Sequence, residues 1–391
     1  MYLAFTGFTI FLVTAAAFGA SGRGIIGYGT SLFAMLGSFF SANLGRSFLA
    51  ATKQQAEMKE LLLRRYLVLN FVLTIATMVT GIIYWRFSSS AQEVLSPFQI
   101  LCFSTTSLFY VWSVNGNAIF AALSMTKTQE IIIILIRSCL MVFLASIYFV
   151  KNKSIDQFIL GYSFILFSGS LTEILWLYFH FRPAKKSKLK TSKQILKDSF
   201  FHHIDFLSFN IFPLFLTVLL ATHVTKSEIG QFNFALQIIN LIFLFSVTAN
   251  IRLITYVSDV GFRARISQYK KLFIGTLVLS GVSIIVIFVG LRWITLISYF
   301  SQFQGVDLFF LIFGLSVPGY ILYQFFSPIW IELHRQKEAA FTHGLNFLFF
   351  LVLSPIVLSK FQLEGAVWLF SLFHCGLIFT QLYLFKRYAK A

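Results

Sequence analysis

Residues 182–197 read RPAKKSKLKTSKQILK, with seven basic side chains and no acid. This is the longest polar stretch of the chain, and everything around it is apolar. Before it, apolar runs fall at about 1–20, 25–45, 66–85, 98–122, 131–150 and 157–181. After it they fall at about 199–222, 230–251, 272–297, 306–330, 340–360 and 365–385. About 20 apolar residues make one helical crossing of a bilayer. A helix satisfies its own backbone in lipid, and the alternating pattern of a membrane barrel is absent. The expected fold is therefore an all-α polytopic membrane protein of about twelve transmembrane helices. The basic segment divides it into a six-helix lobe at 1–181, a linker at 182–198 and a second six-helix lobe at 199–391.

Composition agrees. Of 391 residues, 58% are hydrophobic and 12% charged, and the mean hydropathy is +0.81. Soluble domains carry roughly 25% charged residues, so a soluble enzyme is excluded, as are disordered and disulfide-scaffold proteins. The 31 Lys and Arg against 14 Asp and Glu leave a net charge of +17. With the N-terminus inside, 23 basic residues fall on the cytoplasmic side and seven on the other: Arg23, Arg86, Lys151, Lys153, Lys226, Arg292 and Lys360. Both termini are therefore expected in the cytoplasm. Residues 1–20 lack a basic lead-in and read as a first span, not a signal peptide. Cys102, Cys139 and Cys375 lie in apolar runs and read as small buried hydrophobes.

A faint internal repeat links the halves. Sliding residues 1–45 by 203 positions sets Ile26-Gly27 on Ile229-Gly230 and Thr14 on Thr217. Parallel repeats of this kind build two-lobed transporters.

Polar residues inside spans are functional candidates. Asn233, Gln237 and Asn240 share one face of span eight. Gly27, Ser31, Ala34, Ser38, Ser41 and Gly45 form a small-residue stripe on span two, followed by Arg46. Each stripe has two readings: helix packing or interhelical hydrogen bonding, or the walls of a polar cavity. Arg137 and Glu173 lie at similar depth in a predicted hairpin and read as an ion pair. Asp205, with His202 three residues earlier on its face, is a candidate for proton or sodium coupling, and Glu173 is a second. Pro213, Pro318 and Pro328 mark kinks within spans. No metal-ligand spacing, cofactor motif or nucleic-acid motif is present. The Gly-rich turn at 22–29 lacks the Gly-Lys-Ser/Thr of a phosphate loop, and Gly27-Tyr28-Gly29 lacks the rest of a potassium filter.

The first-hairpin turn Phe18-Gly19-Ala20-Ser21-Gly22-Arg23-Gly24-Ile25 carries a Gly-x-x-Gly-Arg-Gly pattern. The second half opens with Ile204-Asp205, turns at Glu228-Ile229-Gly230-Gln231-Phe232 and continues as Ala235-Leu236-Gln237-Ile238. The last hairpin has Leu363-Glu364-Gly365-Ala366-Val367-Trp368, and Phe385-Lys386-Arg387 follows near the end. In these features the chain resembles the multidrug/oligosaccharidyl-lipid/polysaccharide (MOP) exporter superfamily, in its polysaccharide or O-antigen flippase (Wzx-type) branch.

That resemblance implies a MATE-like fold in a bacterial cytoplasmic membrane, with a central cavity walled by helices one, two, seven and eight. It implies a non-enzymatic function, the flipping of undecaprenyl-pyrophosphate-linked oligosaccharide for O-antigen, lipopolysaccharide or other surface polysaccharide. Membrane lipids, a polysaccharide polymerase and chain-length proteins are the implied partners. By position, Arg46, Arg252, Arg23 and Arg137 would meet the pyrophosphate, and Asn233, Gln237, Asn240, Ser31 and Ser38 the sugar. Two alternatives stand beside it: a cation-coupled drug or metabolite exporter of the same superfamily, and a membrane-embedded polymerase or ligase. The last wants a large outer loop, and the longest here is near 86–97.

Overall fold

The computed structural model describes residues 2–54, 59–149, 154–181, 192–260, 266–332 and 335–388. Most of the basic linker therefore lies outside the described residues. So do the side chains of Arg46, His202, Arg252 and Pro328.

The described residues form helices and no strand. In chain order they are α1 (Tyr2–Phe40), α2 (Leu44–Gln54), α3 (Lys59–Phe87), α4 (Ser89–Val94), α5 (Pro97–Thr105), α6 (Ser107–Ala122), α7 (Thr126–Phe149) and α8 (Ile155–His180). Then come α9 (Ser192–Leu220), α10 (Lys226–Val260), α11 (Ile266–Ile294), a 3₁₀ turn at Ser298–Phe303, α12 (Val306–Gly314), α13 (Val317–Glu332) and α14 (Gln336–Tyr388).

Among the described residues eight helices are long and apolar enough to cross a membrane, or nine if the bent pair α12–α13 counts as one span. The twelve apolar runs of the sequence all fall on helix, but they are partitioned differently. Two pairs of runs are joined end to end. In α1 the join is Gly19 (φ 65°, ψ −168°), and in α14 it is Gln362 (φ 46°, ψ −124°). The run at 98–122 is divided at Thr106 between α5 and α6. Sequence periodicity locates apolar length, whereas one residue of non-helical backbone is enough to fold a hairpin.

Local chemistry sets several helix starts. Ser96 accepts from the Gln99 backbone N–H while the Gln99 side chain accepts from the Ser96 N–H, with Pro97 at the first helical position. This reciprocal box satisfies two otherwise orphaned donors. Ser154 caps α8 one way only, its side chain accepting from the Gln157 N–H at 3.5 Å. Pro213 lies inside α9 as expected. Pro318 does not kink a continuous span; it sits in the first turn of α13, after a break that bends the pair by 41°. Proline is tolerated there because the first-turn N–H groups have no helical acceptor.

By packing, the chain forms two compact units. One comprises Ile25–Val218 with the first six residues; the other comprises Gly7–Gly24 with Leu219–Ala391. Packing and chain order thus divide the molecule differently. The first arm of α1 belongs by contact with the later helices, and α9 up to Val218 belongs with the earlier ones.

In the first unit, one core gathers Leu44, Phe48, Leu62, Tyr66, Trp112, Ile119 and Phe120. In the second, aromatic rings fill the interior: Phe234 lies 4.3 Å from Phe303, and Phe243 stacks on Tyr320 at 3.7 Å. Cys102 is buried, Cys375 is partly so, and Cys139 is exposed. Cys139 lies on α7, which turns much of its apolar surface outward, with Ile131, Ile134, Leu135 and Val142 exposed.

Candidate functional site

The candidate residues fall into separate places in the two units.

In the second unit the focus is Arg23. The sequence places it on a turn between spans, facing the far side. It is instead only 6% exposed, in the first helical turns after the Gly19 join. Its Nη1 donates to Thr14 Oγ1 at 3.1 Å, and its guanidinium sits 4.8 Å from the centre of the Phe11 ring. Thr14 in turn donates to the backbone carbonyls of Ile10 and Phe11. The Gly19 join is held from the side by Gln302. Its Oε1 accepts from the Ala20 N–H at 3.0 Å, and its carbonyl accepts from Gln231 Nε2 at 3.0 Å. The arm after the join closes on α10 so tightly that a Cβ at Gly24 would strike the Lys226 carbonyl, and one at Gly230 the Ala20 carbonyl. A cation is thereby fixed inside an apolar unit.

The amide stripe of α10 divides. Asn233 is buried, and its Nδ2 donates to the Ile229 carbonyl one turn back at 2.9 Å. Gln237 and Asn240 are exposed on that unit's surface, in line with Leu244 and Thr248. An amide on the surface of a membrane helix is costly against lipid and suits a polar path.

In the first unit, Ser31 and Ser38 are buried. α1 ends at Phe40, where Ala42 and Asn43 adopt left-handed backbone. A buried polar network collects at that break. Asn115 Oδ1 accepts from the Gly45 N–H at 3.0 Å. Its Nδ2 reaches the Ser41 carbonyl at 3.1 Å and Asn70 Oδ1 at 2.7 Å. Asn70 donates to the Tyr66 carbonyl, and the Tyr66 hydroxyl lies 2.9 Å from Ser47 Oγ. Three helices and the break that precedes Arg46 are tied together this way. Asn70 and Asn115 are visible in the sequence as polar residues in spans. Asn70 shares helical spacing with Thr74 and Thr77, and Asn117 lies two residues after Asn115, but nothing local says that the two asparagines meet.

His203 Nε2 lies 2.8 Å from the Phe39 carbonyl. Carbonyls in the last turn of a helix lack a helical donor, and a carbonyl only accepts, so this nitrogen carries the proton. His203 thus ties α9 to α1, while the side chain of His202, expected to share a proton with Asp205, lies outside the described residues. Asp205 is half-buried.

Arg137 and Glu173 line one cavity of about 180 Å³, together with Trp112, Ser113, Asn117, Gln129 and Ser170. The expected ion pair is not formed: among the described residues no cation lies within 4.0 Å of Glu173. Register is the reason. A Cβ at Gly169 would meet Ile136, and one at Gly161 would meet Phe143. Counting on from these neighbours sets Glu173 opposite Ile132, five residues from Arg137, or about 7.5 Å along the axis at 1.5 Å per residue. The carboxylate accepts instead from Trp112 Nε1 at 2.6 Å, and the Gln129 Nε2 in the same cavity donates to Asn117 Oδ1 at 2.8 Å.

Among the described residues no group of three His, Cys, Asp or Glu side chains is placed to hold a metal ion.

No protein-family model and no curated protein matches the sequence. Solved structures do. The lipid II flippase MurJ, in an inward closed conformation, superposes with a TM-score of 0.75 at 14% identity, over 98% of this chain and 85% of that one. An inward-facing multidrug resistance MATE family transporter of the MOP superfamily superposes with a TM-score of 0.66 at 13% identity, over 100% and 94%. A MOP superfamily transporter from Pyrococcus furiosus Vc1 gives 0.53 at 12% identity, over 99% and 92%. The chain is a multi-pass membrane protein with the fold shared by MATE transporters and the lipid II flippase of the MOP superfamily.

Proposed function

We propose that the chain flips undecaprenyl-pyrophosphate-linked oligosaccharide repeat units from the cytoplasmic to the outer leaflet of a bacterial cytoplasmic membrane, by alternating access, for surface polysaccharide or O-antigen assembly. The observation that carries this reading is the superposition on a lipid II flippase over 98% of the chain. A fold by itself assigns no cargo, so the residues must supply the rest. A pyrophosphate needs fixed cations, and guanidinium forks suit it best. Arg23 is a buried guanidinium in the second unit. Arg46 follows the α1 break and Arg252 lies in the last third of α10, each placed by its helix alone. The exposed amides Gln237 and Asn240 suit sugar hydroxyls. Asp205 is the proposed coupling group.

The second reading, a multidrug exporter, is favoured by the MATE likeness. Replacing Arg46 and Arg252 together by Ala separates the two. Export should be abolished at unchanged protein level, with lipid-linked oligosaccharide accumulating on the cytoplasmic face, while efflux of an organic cation dye from the same cells is unaffected. Normal oligosaccharide export by the double variant would sink the role proposed for Arg46 and Arg252. Asp205→Asn should remove any dependence of export on the proton or sodium gradient.

A further inference from the structure

The cavity between α6, α7 and α8 holds two opposite charges that do not neutralise each other. Glu173 is 5% exposed and is met by a neutral donor, Trp112 Nε1. Arg137 lines the same cavity about five residues away along the axis, a separation set by the packing of Gly169 on Ile136. An uncompensated charge in an apolar setting is costly unless something pairs with it. Here an acid and a base face one space of about 180 Å³.

We propose that this cavity is a binding site for a zwitterion that carries an ammonium and a phosphate on one short linker. The ammonium sits on the Glu173 carboxylate beside the Trp112 ring, which a cation also favours. The phosphate sits on the Arg137 fork, with the Ser113 hydroxyl and Asn117 amide at the mouth. Both of those residues are exposed, so the site is open from outside. Beside the mouth, α7 exposes Ile131, Ile134 and Leu135, a surface on which acyl chains would lie. The ligand is thus an amino-alcohol phosphate, either as a phospholipid headgroup or as the free headgroup. The site belongs to one unit and is independent of the cargo proposed above.

The test uses the purified full-length protein in detergent, with bound lipid read by native mass spectrometry. Phosphatidylethanolamine should be retained about tenfold or more over phosphatidylglycerol, which lacks the ammonium, and over N-acetylated phosphatidylethanolamine, which has lost it. A hydrogen bond to a charged group is worth about 1.5–3 kcal/mol, which corresponds to that factor. Glu173→Gln, which keeps an acceptor for Trp112, should erase the preference, and Arg137→Gln should lower retention of all three lipids, which share the phosphate. Displacement by glycerophosphoethanolamine at equal concentration assigns the site to the free headgroup; retention of the lipid assigns it to the phospholipid. Equal retention of the parent and N-acetylated lipids by the unaltered protein overturns the proposal. So does a full preference in Glu173→Gln.

Discussion

Arg23 donates to Thr14 across 3.1 Å, although nine residues separate them. In an unbroken helix they would stand about 13.5 Å apart along the axis. The bond exists only because Gly19 folds the chain back. Replacing Thr14 with Val removes the acceptor and keeps the shape. The expected loss is about 2 kcal/mol, the worth of a hydrogen bond to a charged group, seen as a lower thermal transition in detergent. Arg23→Lys keeps the charge but loses the fork and the planar contact with Phe11, and should reduce transport more than stability. An unchanged transition in Thr14→Val would show that this bond does not hold the hairpin.

Gly24 is needed for space. Its missing Cβ is where the Lys226 carbonyl lies, and backbone yields less readily than a side chain. Gly24→Ala should therefore destabilise by about 1–3 kcal/mol, the usual cost of overpacking. Gly281 lies inside α11 with nothing near its would-be Cβ. Gly281→Ala should be neutral or stabilise by up to about 1 kcal/mol, the helix-propensity gain. Thermal unfolding of the two variants side by side checks the contrast.

Asn115 serves three partners at once: Gly45 N–H, the Ser41 carbonyl and Asn70 Oδ1. Asn115→Leu fills the volume but strands all three groups. Each buried unsatisfied group costs about 1–3 kcal/mol, so this variant should be among the least stable single changes in the first unit. Asn70→Leu strands fewer and should cost less. Expression level and melting temperature of the pair give the ranking, and equal values would refute the network's central role.

His343 has a tautomer dictated by its neighbours. Trp330 Nε1 can only donate, and it does so to Gln381 Oε1 at 2.8 Å. The Gln381 amide nitrogen, a donor, then points at His343 Nε2 at 2.8 Å. Nε2 must accept, so the proton rests on Nδ1 and the ring is neutral. Nitrogen-15 shifts of the labelled ring should show a protonated Nδ1 and a bare Nε2. Trp330→Phe frees Gln381 to turn over and should allow the other tautomer. A protonated Nε2 in the unaltered protein would contradict the chain of donors.

Much of the architecture is legible in the sequence. The hydrophobic runs name helix positions correctly, and the Gly-rich turn at 18–25 contains the Gly19 join, because these are local decisions. The site is less legible. The amide stripe at Asn233, Gln237 and Asn240 looks uniform at helical spacing, yet Asn233 is buried and the other two are exposed. Spacing assigns a face to a helix, but not how far its neighbour extends along that face. The contact of His203 with the Phe39 carbonyl is likewise settled by where another helix ends.

Sequence alone determined that this chain is helical, membrane-spanning and rich in cations at helix ends. Lipid leaves the backbone no partner but itself, so composition and length suffice for that much. Tertiary structure decided what those charges touch. Arg137 and Glu173 lie at similar computed depth in the sequence, yet the packing of Gly169 on Ile136 and Gly161 on Phe143 slides their helices out of pairing. That register depends on the shapes of residues far apart in the chain. It turns an expected ion pair into an open cavity with a charge of each sign.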